Sequence, residues 1–236
     1  MISFVVPAHN EEAELPATLR AIGAAAEASG EAYEIIVVDD ASTDSTSEIA
    51  CRFGTRIVSV NLRQIAAARN AGAREARGET LIFVDADTQI APGHVTAALV
   101  ALDEGCAGGS ARIALDARVP LWARVFLSVF SAFYFGSNLG VGAFLFMRRA
   151  TFEAVGGFDE QYFAGEEVYL TMALKRVGRF LILREPIVTS ARKIRMHTPW
   201  SVLRQSFLIF IGGKKTLLKR DRLALWYDGK RERKAA

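Results

Sequence analysis

Cysteine is scarce in this sequence: only Cys51 and Cys106 occur among 236 residues. Two thiols cannot form the multiple-disulfide framework of a small secreted protein, and they cannot form a four-thiolate zinc site. A chain of this length buries enough apolar surface to fold without such cross-links. We therefore interpret both cysteines as small, buried apolar side chains of a protein from a reducing compartment.

Lysine is absent before Lys175, and positive charge is concentrated near the C-terminus. The formal net charge is +3, yet residues 214–234 hold nine Lys and Arg against three Asp and Glu. Apolar residues within 200–213 precede this basic segment, a combination typical of contact with an anionic lipid surface. The alternative is an amphipathic helix that packs on the domain with its basic end in solvent. Nucleic-acid binding is not expected, because no motif of aromatic and basic residues accompanies the charge.

Long uninterrupted apolar segments are missing as well. The longest uncharged run, residues 125–147, has the length of a membrane span. Glycine, serine and asparagine between Gly136 and Gly140 interrupt it, which favours a buried helix, a turn and a buried strand over a transmembrane helix. The N-terminus lacks a basic leader, so we do not expect a signal peptide. These features predict a cytoplasmic protein, located at the inner face of the membrane if the basic segment binds lipid.

The remaining pattern is an alternation of short apolar runs with longer helical segments. Strands are predicted at residues 2–6, 35–38, 56–60 and 80–84, and helices at 13–28, 45–53, 65–76 and 92–102. The second half is less regular, with strands predicted at 107–115, 142–147, 180–183 and 187–188 and helices at 121–135 and 166–177. This alternation predicts an α/β fold with a mostly parallel central sheet and helices on both faces. The simplest division is one domain, residues 1–204, followed by an apolar and basic extension, residues 205–236.

Polar side chains follow three of the predicted strands, in segments 9–12, 39–44 and 85–89. Each segment alone could be an ordinary turn or helix cap. In an open parallel sheet, however, the carboxyl ends of the strands lie at one edge, where ligands bind. The coincidence of three such segments at one edge favours a binding site.

Asp85 and Asp87 suggest what this edge could bind. Two carboxylates separated by one residue, directly after a buried strand, are suited to a hard divalent cation such as Mg²⁺ or Mn²⁺. Neither of the usual glycine-rich phosphate-binding loops occurs in the sequence. The pattern therefore disfavours dinucleotide-binding and P-loop proteins, and it indicates that a metal ion would hold the anionic ligand.

The motifs, taken in order, resemble those of glycosyltransferase family 2. They are Pro-Ala-His-Asn-Glu-Glu at 7–12, Asp-Asp-Ala-Ser-Thr-Asp at 39–44, Ala-Arg-Asn-Ala-Gly at 68–72, Asp-Ala-Asp at 85–87, Gly-Ala-Phe-Leu-Phe-Met-Arg-Arg at 142–149, Gly-Gly-Phe-Asp-Glu at 156–160 and Gly-Glu-Glu at 165–167. The resemblance covers residues 2–190. It implies the GT-A fold, with a Rossmann-like nucleotide-binding half and an acceptor half, and a UDP- or GDP-sugar donor.

The resemblance also implies roles for individual residues. Nucleotide binding falls to Pro7, Asn10, Glu11, Asp39, Asp40, Arg69, Asn70 and Asp85. Binding of Mn²⁺ or Mg²⁺ falls to Asp85, Asp87, Gln89 and His197, although Gln89 could equally be a surface residue and Arg192, Lys193 and Arg195 are further candidates beside His197. The general base corresponds to Glu167, with Glu166 as the alternative.

Two departures from the family pattern bear on function. Glu167 stands where the family usually has aspartate, and the Gln-x-x-Arg-Trp motif of processive members is missing. We therefore expect an inverting, metal-dependent enzyme that transfers one sugar to a hydroxyl group of an acceptor, for which a lipid-linked molecule is one candidate. The alternative is a catalytically impaired regulatory protein that binds a nucleotide-sugar. A sugar nucleotidyltransferase is disfavoured, because segment 10–12 is acidic where that class has a glycine-rich basic loop.

Overall fold

The computed structural model describes residues 1–116, 134–192 and 216–220, together with residues 120, 122, 131, 196, 200, 201, 204 and 223. Within this part of the chain the strands are β1 (Ile2–Ala8), β2 (Tyr33–Asp40), β3 (Arg56–Val60), β4 (Thr80–Val84), β5 (Thr88–Gln89), β6 (Cys106–Leu115), β7 (Phe144–Arg148) and β8 (Arg179–Thr189). The helices are α1 (Leu15–Ser29), α2 (Thr46–Arg52), α3 (Ile65–Glu75), α4 (Pro92–Asp103), α5 (Arg149–Ala154) and α6 (Glu166–Val177).

All eight strands belong to one sheet, in the order β3-β2-β1-β4-β7-β6-β8-β5. Strands β3, β2, β1 and β4 are parallel, as the alternating pattern of the first half predicts. Beyond β4 the sheet becomes mixed: β7 is antiparallel to both β4 and β6, β6 is parallel to β8, and β5 is antiparallel to β8. The predicted α/β fold is confirmed, with its parallel pairs concentrated in the first half.

The sheet is covered on both faces, because successive side chains of a strand point in opposite directions. Phe4 and Val6 of β1 pack with α1 and α4, whereas Val5 packs with α3 and α6 on the other face. Helix α3 lies very close to the sheet: a Cβ added at Gly72 would be 2.4 Å from Cγ1 of Val5. This close approach brings the middle of α3 against the strands, where it contributes to the site.

One predicted boundary is wrong in an informative way. The two short strands expected at 180–183 and 187–188 form a single strand, β8. Its pairing with β6 is irregular, since Ala111 is opposite Leu183 and the next residue, Arg112, is opposite Pro186. Proline has no backbone N–H for the ladder, so a bulge at this point lets pairing resume beyond it.

Other expectations fall partly outside the described residues. Cys106 is buried but Cys51 is exposed, so the expectation of burial is wrong for Cys51, which lies near the C-terminus of the short helix α2. In the uncharged run, a helical segment ends in a turn at 137–138 and the final residues enter the buried strand β7. No helix among the residues that the structure covers is long and apolar enough to cross a membrane. Most of residues 205–236 lie outside the described part of the chain.

Candidate active site

Strands β2, β1 and β4 are neighbours, so the three polar segments that follow them adjoin at one edge of the sheet, as expected. The loops after β1 and β2 are tied together by hydrogen bonds, and we call residues 9–12 and 41–46 the β1–β2 edge. The backbone N–H of Asn10 donates to Oγ of Ser42 (3.0 Å), and that of Thr43 donates to Oδ1 of Asn10 (2.7 Å). Predicted residue Pro7 lies inside β1, where it is opposite Val38.

Three of the four non-glycine residues with a positive φ angle in the described part of the chain lie at this edge, and the fourth is Asn138. Asn10, Ala41 and Arg63 follow β1, β2 and β3 and adopt positive φ angles of 54°, 56° and 51°. Left-handed backbone is unfavourable for residues other than glycine and tends to occur at functional sites. The strain marks the same edge that the polar sequence segments indicate.

Asp39 and Asp40 serve different purposes. Oδ1 of Asp39 accepts a hydrogen bond from the N–H of Ser42 (3.0 Å), and Oδ2 accepts one from the hydroxyl of Ser47. Burial alone would raise the pKa of Asp39, but these hydrogen bonds outweigh burial and lower it, so the side chain is ionised. It presents a negative charge at the edge.

Asp40 instead holds the chain that enters α3. Its Oδ1 accepts hydrogen bonds from the N–H groups of Leu62 (2.6 Å) and Arg63 (2.8 Å), and its Oδ2 accepts one from Gln64 (3.1 Å). The side chain of Gln64 in turn donates to the carbonyl of Tyr162 (3.2 Å). Asp40 thus orients a loop that reaches the opposite side of the site, and its direct contact with a nucleotide stays a prediction.

Arg69 is the centre of the site. Its side chain is 1% exposed and its Nη1 donates to Oε1 of Glu166 (2.5 Å), while Nη2 donates to Oδ1 of Asp85 (2.7 Å). Burial opposes the positive charge, but the carboxylates of Asp85 and Glu166 raise the pKa of Arg69 above its ordinary value. One guanidinium therefore connects the predicted metal ligand to the predicted base-bearing helix.

The space around Arg69 is made by two distant segments. Its Nη2 also donates to the carbonyl of Gly142 (3.0 Å), and a Cβ at that glycine would be 2.6 Å from the same nitrogen. On another side the guanidinium lies over the ring of Phe158, 5.2 Å from its centroid. Glycine at 142 is thus required by the position of the arginine.

Asn70 faces the turn that precedes α6, residues 159–165, which we call the α6 turn. The Asn70 amide donates to the carbonyl of Phe158 (2.8 Å) and to the carboxylate of Glu160 (2.9 Å), and its oxygen accepts from the N–H of Phe158 (3.0 Å). These contacts fasten the start of the α6 turn to α3. The predicted nucleotide contact of Asn70 remains a prediction.

Glu11 and Asp87 are joined by a second buried arginine. Arg192, which follows β8, donates to Oε1 of Glu11 and lies 3.3 Å from Oδ2 of Asp87. Burial opposes its charge, whereas Glu11 and Asp87 raise the pKa of Arg192. Sequence reasoning named Arg192 only as a candidate from the segment after the last strand, and the structure brings it to Asp87.

Asp85 and Asp87 have donor chemistry that fits Mn²⁺ or Mg²⁺. The contact between Asp85 and Arg69 uses Oδ1, which leaves Oδ2 as a carboxylate oxygen that could bind a cation. Among the residues the structure describes, no group of three or more histidine, cysteine, aspartate or glutamate side chains is arranged around one point. Water and substrate oxygens would suit the remaining positions of such a cation. Gln89 is exposed in β5, and His197 lies outside the described residues.

Glu166 and Glu167 begin α6, after Gly165 in a left-handed conformation (φ 74°). Glu166 is 3% exposed and its Oε2 accepts no hydrogen bond within the described structure. Burial raises the pKa of Glu166, and Arg69 opposes this effect by favouring the ionised form. Burial and the neighbouring Glu166 raise the pKa of Glu167 to about 8. Glu167 is only half-buried, so it is the more accessible of the two carboxyl groups.

The comparisons with known proteins agree with this architecture. The model of the family described as Glycosyl transferase family 2 matches residues 3–149, which is more than half of the chain. The chain belongs to glycosyl transferase family 2. The undecaprenyl-phosphate 4-deoxy-4-formamido-L-arabinose transferase of Pseudomonas paraeruginosa is 40% identical to this family 2 chain over 102 residues. That match covers 40% of the chain and 30% of the relative's length.

Solved structures of similar fold include two glycosyltransferases. TarS from S. aureus has a TM-score of 0.61 and 20% identity, over 81% of this chain and 61% of that one. A mannosyltransferase from Pyrobaculum calidifontis, solved with GDP-Man and Mn²⁺, has a TM-score of 0.60 and 21% identity, over 80% of this chain and 56% of that one. The family 2 chain therefore has the GT-A fold.

Sequence reasoning missed two residues that shape the site. Gly142 was identified only as the first residue of a motif, although its backbone lies against Arg69. The sequence gives no indication of the role of Gln64, because a polar residue before a helix is an ordinary cap. Its partner Tyr162 is 98 residues away in sequence.

Proposed function

We propose that this family 2 protein is an inverting, divalent-metal-dependent glycosyltransferase that moves one sugar from a nucleotide-sugar to a hydroxyl group of an acceptor. The observation that carries the proposal is the Arg69 bridge between Asp85 and Glu166. A glycosyl transfer needs a group that stabilises the leaving diphosphate and a base that deprotonates the acceptor. The bridge ties a candidate metal ligand, Asp85, to the first turn of the helix that carries the candidate base, Glu167.

In the proposed reaction the donor lies over the carboxyl ends of β1, β2 and β4. The ionised Asp39 accepts hydrogen bonds from the nucleoside, with Pro7, Asn10 and Glu11 lining the same edge. Asp85 and Asp87 would hold Mn²⁺ or Mg²⁺, and the bound ion would supply positive charge to the diphosphate. Gln89 and His197 stay candidates for additional ligands.

Glu167 is the general base in this proposal, and Glu166 is a supporting residue. Glu166 is engaged by Arg69 and buried, so it cannot reach an acceptor without breaking that ion pair. Glu167 is half-exposed at the first turn of α6 and lacks such a partner in the salt bridges of the described chain. Removal of a proton from the acceptor hydroxyl by Glu167 completes an attack opposite the leaving group, which inverts the anomeric centre.

The comparisons support a choice of substrates to test. TarS has been solved with UDP-GlcNAc and the mannosyltransferase with GDP-Man and Mn²⁺, so both donor bases deserve trial. The curated relatives carry undecaprenyl phosphate in their names, which supports a lipid-linked acceptor. The proposed step requires that such an acceptor present a hydroxyl group to Glu167. Contact of the basic extension, residues 205–236, with the inner face of the membrane would suit such an acceptor and belongs to the same proposal.

The test is a thermal-shift screen of UDP- and GDP-sugars with and without Mn²⁺, followed by a turnover assay on the donors that bind. A ligand that binds only the folded state raises the melting temperature. We expect donors with one of the two bases, uracil or guanine, to raise the melting temperature of the protein, and to do so only when Mn²⁺ is present. We also expect slow hydrolysis of the donor that binds. Binding without turnover across many acceptors would favour the regulatory alternative, and the absence of any donor binding would contradict the proposal.

A further inference from the structure

Residues 216–220, near the C-terminus, contact the α6 turn. The backbone N–H of Phe163 donates a hydrogen bond to the carbonyl of Leu217 (2.9 Å). The Leu217 side chain also lies against Gly165, where an added Cβ would be 3.3 Å from Cδ1 of the leucine. Gly165 immediately precedes Glu166 and Glu167, so this contact is next to the proposed base.

These residues are packed against the rest of the protein. Thr216, which directly precedes Leu217, is 3% exposed, and Leu223 further along the chain is fully buried. Burial of Thr216 fixes the backbone next to the contact. A segment anchored in this way can transmit a constraint to the turn it touches.

The α6 turn is therefore held by two separate parts of the chain. The Gln64 side chain donates to the carbonyl of Tyr162, and the carbonyl of Leu217 accepts from the N–H of Phe163. Two residues after Phe163, the left-handed Gly165 sets the direction in which α6 begins. Small displacements of a catalytic group, on the order of 1 Å, can lower a rate by about 100-fold.

We propose that Leu217 is a positioning residue of the active site, which holds the α6 turn so that Glu167 points toward the acceptor. The inference rests on the proposed role of Glu167 as base. It makes residues 216–220 a working part of the catalytic unit, although they lie in the extension that the sequence separates from it. Because successive Cα atoms are about 3.8 Å apart, the Cα of Lys219 is within about 8 Å of that of Leu217, so this lysine of the basic segment is also close to the turn.

The experiment compares Leu217→Ala with Leu218→Ala in the full chain. Both leucines are half-buried and adjacent, but only the first is in contact with Gly165. Amide hydrogen exchange of the peptide covering 160–168 reports the turn directly, and hydrolysis of UDP-GlcNAc or GDP-mannose with Mn²⁺ reports kcat and KM. Leu217→Met is the conservative variant, and Leu217→Val serves if the alanine variant does not fold.

We expect Leu217→Ala to speed exchange in 160–168 and to lower kcat about tenfold or more, with the donor KM changed less than about twofold. Leu218→Ala and Leu217→Met should stay close to wild type in both measurements. Equal effects of the two alanine variants, or unchanged exchange with Leu217→Ala, would overturn the inference. If the wild-type protein hydrolyses neither donor, the donor identified by the thermal-shift screen takes their place. If no donor binds, the proposed function fails, and the exchange measurement alone decides whether Leu217 holds the turn.

Discussion

The β1–β2 edge and the surroundings of Arg69 are held in place by different physical means. At the β1–β2 edge, side chains bond to backbone groups of the loops, as Asn10 does with Thr43 and as Asp39, at the end of β2, does with Ser42. Around Arg69, a buried guanidinium meets the buried carboxyl group of Glu166 and the half-buried one of Asp85, beside a glycine and an aromatic ring. Partly exposed hydrogen bonds can be replaced by water, whereas a buried charge that loses its partner is strongly destabilising. We therefore expect substitutions around Arg69 and at the start of α6 to have the larger effects.

Replacement of the base should produce the largest effect. Glu167→Gln keeps the shape of the side chain and removes the proton acceptor, so transfer should fall by at least about 100-fold. Binding of the nucleotide diphosphate, measured by calorimetry with Mn²⁺, should stay close to wild type.

Glu153→Gln is the matched control, because Glu153 is exposed on α5 and should leave turnover unchanged. Normal turnover in Glu167→Gln would remove the assignment of the base.

The pH dependence of turnover, which involves Glu167, should differ from that of nucleotide binding, which involves Asp39. Burial and the adjacent Glu166 raise the pKa of Glu167 to about 8, and a base acts only when it is ionised. The rate should therefore rise with pH, by about tenfold per unit below that pKa, and level off above it. Nucleotide binding through Asp39, whose pKa is lowered, should be independent of pH over the same range.

The pH profile of kcat/KM measures this directly, because it reports ionisation of the enzyme without substrate. A profile that is flat between about pH 6 and 9 would contradict the role of Glu167, since ionisation of the base would then lie outside that range.

A smaller but still clear effect is expected from Gly142→Ala. The new methyl group would meet Arg69, so we expect a loss of about 1–3 kcal/mol in the free energy of unfolding and a kcat reduced about tenfold. Denaturant unfolding and the donor hydrolysis assay give the two values.

Gly23→Ala is the comparison, because a Cβ there meets nothing within 4 Å inside α1 and should stabilise the protein by about 0.5–1 kcal/mol. If both alanine variants behave alike, the packing around Arg69 is not the constraint that we describe.

The smallest effect should come from the side of the β1–β2 edge. Asp40→Asn puts an amide nitrogen near one of three backbone N–H donors, which should cost about 1–3 kcal/mol in stability and weaken nucleotide binding only severalfold. Asp103→Asn, which alters an exposed ion pair with Arg148, should cost less than about 1 kcal/mol. A loss of activity in Asp40→Asn as large as that in Glu167→Gln would reverse the ranking of the two regions.

The part of the molecule that could be predicted from sequence is the part built from local patterns. Short apolar runs predicted the parallel strands. The spacing of Asp85 and Asp87 predicted a pair of carboxylates after a strand. Both patterns depend only on residues that are close in sequence. The ion pair of Arg69 with Glu166 spans 97 residues and that of Arg192 with Glu11 spans 181. Such contacts depend on how helices and loops pack, and no local pattern reports them.

The same reasoning explains why three residues expected to bind the nucleotide are engaged in contacts within the protein. Asp40, Arg69 and Asn70 occur in motifs associated with nucleotide binding, yet their side chains bond to other parts of this protein. A motif identifies a position in the chain, whereas the partner of a side chain is decided by the surrounding fold. For these residues a nucleotide contact must be compatible with the contacts already present.

The left-handed backbone at Ala41 has a consequence for protein engineering. Its methyl side chain makes no hydrogen bond in compensation, so the conformation costs about 1 kcal/mol or more. Glycine at this position would recover that free energy, but it would also widen the range of loop shapes where the donor is proposed to bind. Thermostability and tight donor recognition are thus opposing demands on one residue, and selection for the first alone should loosen the second.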